Sequence, residues 1–115
     1  MRHLNIVGEQ GSGKSLLARW IANRSGKFVE LDSSEITSTF TLGNALASEP
    51  KVIIIDWHFV EKDSLSVLKM LMSNESIECN RKGRQVVFVP APTVILCSIE
   101  PILEVSDVLL TRLTN

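Results

Sequence analysis

The chain has 115 residues, 12 of them Lys or Arg and 13 Asp or Glu, which leaves a net charge of −1 with histidine neutral. That length suits a single domain over residues 1–115 with a core of its own and excludes large insertions, while near-neutrality excludes a global field drawing the chain to nucleic acid or anionic lipid. Any such contact must be a local patch. Two cysteines, Cys79 and Cys97, have no metal-ligand spacing, and the longest apolar runs fall far short of the roughly 20 residues of a membrane helix. The expectation is a soluble, intracellular protein with no membrane partner.

In chain order, HLNIVG reads as a short buried strand ending at a glycine loop. GKSLLARWIANRSG follows as a helix with Leu16, Leu17, Trp20 and Ile21 on its apolar face and Gly26 as its stop. KFVEL is a second strand, TFTLGNALAS a shorter helix ended by Pro50, and KVIII a third strand, apolar on both faces as a covered strand should be. EKDSLSVLKMLMS places Leu65, Leu68, Leu71 and Met72 on one helical side. SIECNRKGRQVVFV predicts a hairpin turning near Gly83, TVILCS a last buried strand, and PILEVSDVLLTRL a helix beginning at Pro101. The alternation predicts an α/β fold with three layers around a mostly parallel sheet, carrying a small β-hairpin insertion.

The glycine loop, GEQGSGKS over Gly8–Ser15, fits the G-x-x-x-x-G-K-[ST] phosphate-binding pattern at every fixed position. Gly8, Gly11 and Gly13 let the backbone bend and approach phosphate oxygens, so that the N–H groups from Gly8 through Glu9, Gln10, Gly11, Ser12 and Gly13 surround negative charge at a helix start. Lys14 supplies a cation to the β and γ phosphates, and the Ser15 hydroxyl is a ligand for the accompanying Mg2+. Asp56, closing VIIID, is placed to bring a carboxylate to that magnesium from a strand's carboxyl end. A second acid that orients the attacking water commonly follows; here the next residue is Trp57, and the nearest downstream acids, Glu61 and Asp63, are not placed by the motif. If the absent acid limits catalysis, replacing Trp57 by Glu or Asp is expected to raise turnover. Arg81, Lys82 and Arg84 crowd the proposed hairpin tip and suit contact with a nucleic-acid backbone. Ser98, ending a strand, is a candidate polar group toward the γ-phosphate, and Arg112 a candidate for stabilising transferring phosphate.

The order of phosphate loop, Asp56 strand, basic hairpin, buried strand and late arginine resembles the superfamily 3 helicases, AAA+-related motors of viral, phage and plasmid replication. RKGRQVVFVPAPTVILCS is similar to their characteristic segment. The resemblance covers Leu4 to Leu113 and implies a P-loop NTPase fold, ATP hydrolysis with Mg2+, and a homo-oligomeric ring with single-stranded nucleic acid in its channel. It implies a sensor role for Ser98 and, for Arg112, a finger acting on the neighbouring subunit's nucleotide. Trp57 and Ser98 depart from the family's usual acid and asparagine. Against the family's pattern, an origin-binding or nuclease domain before the loop and the strand expected to pair beside the loop strand are both missing, which would leave the first strand at a sheet edge; a processed fragment, a partner chain supplying the missing domains and a degenerate nucleotide-binding module are the open alternatives. The loop, helix and acidic second strand also look like those of shikimate or nucleoside kinases, with Asp32 as substrate binder. A nucleotide-binding adaptor without turnover is the third reading.

Overall fold

The computed structural model describes residues 3–58, 62–73, 76–79, 87–105 and 107–113. Along them run β1 (His3–Val7), α1 (Lys14–Ser25), β2 (Phe28–Asp32), a 3-10 turn (Glu35–Thr37), α2 (Thr39–Ala47), β3 (Val52–Asp56), α3 (Lys62–Ser73), β4 (Ser76–Cys79), β5 (Val87–Pro90), β6 (Thr93–Ser98) and β7 (Val108–Arg112). Five strands make one sheet in the order β2-β3-β6-β1-β7, with every neighbouring pair parallel. β4 and β5 pair antiparallel as a separate two-stranded unit. The fold is thus α/β with a parallel sheet and a small hairpin. The proposed hairpin tip, with Arg81, Lys82, Gly83 and Arg84, lies outside the described residues.

Strand alternation sorts the sheet's side chains into two cores. Ile6, Val52, Ile54, Ile95 and Cys97 pack under α1 with Ala18 and Ala22. Ile53, Ile55, Val94 and Leu96 face the other way, against Leu42 and Leu46 of α2, Leu68 and Leu71 of α3, and Ile77 and Val89 of the hairpin. A strand such as VIIID is apolar throughout because both of its faces are covered.

Two expectations are corrected. The helix expected from Pro101 onward is absent: a turn precedes β7, which pairs parallel with β1 from His3↔Val108 to Val7↔Arg112. Asp107 takes a positive φ of 59°, incompatible with a continuing helix, and its carbonyl accepts the His3 N–H. β7 is therefore the strand expected to be missing, and β1 is an interior strand instead of a sheet edge. On α1, Leu16 is 71% and Trp20 58% exposed, while Ala18 and Ala22 are buried and Leu17 and Ile21 half-buried. Small alanines let the helix sit close to the sheet, so the seam follows them and not the bulkiest residues. Trp20 instead lies against Arg24, whose guanidinium carbon is 4.3 Å from the ring centroid.

Candidate phosphate-binding site

The parallel sheet aligns the carboxyl ends of its strands, where a ligand crevice forms in open α/β sheets. β1 ends at Val7, and the chain runs through the glycine loop into α1. Gly11 and Gly13 have φ of 83° and 92°, values natural to glycine, and Gly13 occupies the N-cap position of α1. No side chain among the described residues caps this helix, and no acidic residue occupies its first turn. Its leading N–H groups and positive dipole end therefore face the loop's interior.

Gly8 is a glycine for a different reason. A Cβ there would stand 2.5 Å from Ser12 Oγ and 3.2 Å from both Cβ and the carbonyl oxygen of Leu113. The Gly8 N–H donates to the Ser98 carbonyl, and the Leu113 N–H donates to Val7 O at 2.7 Å, so β6 and the end of β7 clamp the root of the loop. Ser12 Oγ is buried without a hydrogen-bond partner among the described residues. Lys14 folds back over the loop, donating from Nζ to the carbonyls of Gly8 at 2.6 Å and Glu9 at 3.0 Å. Glu9, Gln10 and Gly11 are exposed, and Gly13 and Ser15 are half-exposed.

Asp56 ends β3 on the face that carries α1. It pairs in register with Cys97, whose thiol lies 3.9 Å from the Lys14 carbonyl, so loop and carboxylate flank the same buried cysteine. Burial, reinforced by the Asp56 carboxylate and opposed by Lys14, pushes the Cys97 thiol up to about 11, which keeps it protonated and unreactive at neutral pH. Asp56 is solvent-exposed, and its Oδ2 lies 3.5 Å from His58 Nε2.

Ser98, expected to face the γ-phosphate, is turned away. Alternation puts it on the face opposite α1, where its hydroxyl accepts from Asn5 Nδ2 at 3.0 Å and donates to Glu100 O at 2.7 Å. Asn5 also donates to Leu96 O and accepts the Ile102 N–H, so this buried pair ties β1, β6 and the segment after β6 together. Arg112 lies at the exposed end of β7, one strand from the loop strand, on a strand and not a helix. The same alternation aims it away from its own loop.

Asp32 is a turn acceptor. Its Oδ1 takes hydrogen bonds from the Ser34 N–H, the Ser34 hydroxyl and the Glu35 N–H. These bonds, the Ser34 hydroxyl's first, hold its carboxyl below the usual range, and they leave it poorly suited to the substrate-binding role of a kinase. Trp57 is only 5% exposed and packs in the α2–α3 core, so position 57 does not open toward the loop at all. Among the described acids, Asp63 is exposed on the first turn of α3, while Glu61 lies outside the described residues.

Sequence reasoning missed three residues. Asn5 is a polar residue inside an apolar strand, a mark that could have flagged it. His58 shares a face with Asp56 only because strand alternation continues past the end of β3. Phe88 is 71% exposed on β5, four residues after Arg84 in the chain, an exposure that composition alone does not reveal.

The geometry defines an α/β domain in which the glycine loop and the Asp56 end of β3 lie on one face of a parallel sheet. By sequence the chain belongs to DUF5906, a family of unknown function whose model matches residues 6–107 and so takes in the loop, Asp56 and the hairpin. Among solved structures, the apo A form of the C-terminal region of NrS-1 is similar, with a TM-score of 0.72 and 20% identity. That similarity covers 98% of this chain and 29% of the other, so the chain spans under a third of that C-terminal region, and at this identity the likeness is one of fold. No curated protein matches the sequence.

Proposed function

We propose that the chain binds ATP with Mg2+ at Gly8–Ser15 and hydrolyses it to act on single-stranded nucleic acid, as the superfamily 3 helicases it resembles do. In this reading the sheet is a P-loop NTPase fold. The observation that carries the proposal is the uncapped start of α1, behind a positive-φ glycine loop, on the same sheet face as Asp56. The donor set fits the ligand. Backbone N–H groups, a Ser12 hydroxyl without a partner among the described residues and a Lys14 ammonium resting on loop carbonyls are what an incoming polyphosphate requires.

Ser15 and Asp56 are the residues that would hold magnesium, with phosphate and water oxygens completing a shell of the kind this ion prefers. The ion, when bound, neutralises charge across the β and γ phosphates. Lys14 exchanges its two carbonyl partners for phosphate oxygens. Arg112, exposed and aimed away from its own loop, serves the neighbouring subunit of a homo-oligomeric ring. Arg81, Lys82 and Arg84 contact the nucleic-acid backbone, and Phe88, exposed on β5, stacks on a base.

Titration of the purified chain with a fluorescent ATP analogue in magnesium tests the site. Lys14→Ala is expected to abolish binding while melting at the parent's temperature, because the lysine is part-exposed and its loss removes charge-assisted bonds without opening the core. Equal affinity in the two proteins overturns the assignment. Hydrolysis should rise with single-stranded DNA, and replacing Lys82 and Arg84 by Ala should weaken DNA binding and lower its salt slope by about one unit per lost phosphate contact. Tight binding without hydrolysis would identify an adaptor.

A further inference from the structure

The missing acid at position 57 poses a question the geometry answers differently from the sequence. Trp57 points into the core, so an acid there would be buried, whereas the next residue returns to the loop's face. We infer that His58 holds the attacking water, a role that rests on the ATPase reading above. Its imidazole is 59% exposed, and its Nε2 lies 3.5 Å from Asp56 Oδ2, beside the carboxylate assigned to magnesium. The backbone that presents it is held from both sides. The Trp57 N–H donates to Cys97 O at 2.8 Å, the His58 N–H donates to Ser33 Oγ at 3.3 Å, and the Ser33 N–H donates to Asp56 O at 3.0 Å.

Residues 56–58 are thus pinned to β6 on one side and to the end of β2 on the other. The Ser64 hydroxyl, bonded to Ser33 O, fixes that second anchor to α3. Such a mount positions a side chain more closely than a free loop would. A ring nitrogen accepts a hydrogen bond from the water. The water oxygen then bonds to the γ-phosphorus, the bond from that phosphorus to the bridging oxygen breaks with its electron pair remaining on ADP, and the water's proton leaves with inorganic phosphate.

The test compares the parent with His58→Ala and His58→Gln, the second of which keeps a hydrogen-bonding group. We expect His58→Ala to lower kcat on the order of a hundredfold with KM and affinity for a non-hydrolysable ATP analogue changed by less than about twofold, and His58→Gln to recover part of the loss. Magnesium ADP with aluminium fluoride, which mimics the transition state with water in line, should bind His58→Ala on the order of tenfold more weakly. A parent that hydrolyses ATP and a folded His58→Ala variant that matches it in kcat and aluminium fluoride affinity would overturn the inference and leave the ATPase reading standing. A parent that binds ATP without hydrolysing it overturns the inference, and a parent that binds no ATP overturns the reading beneath it.

Discussion

Placing a glutamate at position 57 supplies the acid that the motif lacks, yet the structure predicts that it will unfold the site instead of activating it. Trp57 is 5% exposed, packed in the core that contains Leu31, Ile36, Leu68 and Val94. A buried tryptophan hides about 150–250 Å² of surface, which at about 25 cal/mol per Å² corresponds to about 4–6 kcal/mol. Glutamate forfeits most of that and must either carry a charge into an apolar core or remain protonated there, each adding to the loss. Against a total stability of about 5–15 kcal/mol for a domain, Trp57→Glu removes most of the margin. Trp57→Phe is the control. It keeps an aromatic ring and removes the unpartnered Nε1 donor, two changes that partly offset, so a loss of about 1–2 kcal/mol is expected. Urea unfolding followed by far-ultraviolet circular dichroism measures both. A Trp57→Glu protein with the parent's midpoint, or with turnover raised above the parent's, would refute the packing argument.

Gly8→Ala should cost about 1–3 kcal/mol by overpacking, because the new methyl meets Ser12 Oγ at 2.5 Å and the Leu113 backbone at 3.2 Å; it should also weaken ATP binding, and unchanged denaturation would show that the clamp on the loop yields. His3 is buried, with Nδ1 accepting the Val94 N–H at 2.9 Å and Nε2 facing Met72 O at 3.1 Å, and burial lowers its pKa below the ordinary value despite the opposing Met72 bond and Asp107 charge. The unfolded chain therefore binds the proton more readily. His3's contribution to stability is complete above about pH 6.5 and is lost as the pH falls from there through the folded pKa. Urea midpoints across that range should fall in the parent and fall less in His3→Gln; parallel curves would remove His3 as the cause.

The sequence by itself determined the loop, six of the seven strands and all three helices, because each rests on local chemistry. Glycines with positive φ, β-branched runs covered on both faces, and a proline behind α2 act within a few residues of themselves. It also placed Asp56 at the end of its strand, since a strand's end is set by the strand. Only the tertiary structure decided which way side chains face at the sheet's carboxyl edge. Ser98 and Trp57 sit at the expected chain positions, but alternation turns both into the α2–α3 side, whereas Cys97, Asp56 and His58 share the loop's side. β7 was hidden for a related reason. Its apolar residues fit a helical spacing as well as a strand, and its extended form is settled by hydrogen bonds to β1, about a hundred residues earlier in the chain. Local sequence specifies which backbone shapes are accessible; the pairing that selects among them, and with it the face each side chain presents, belongs to the assembled sheet.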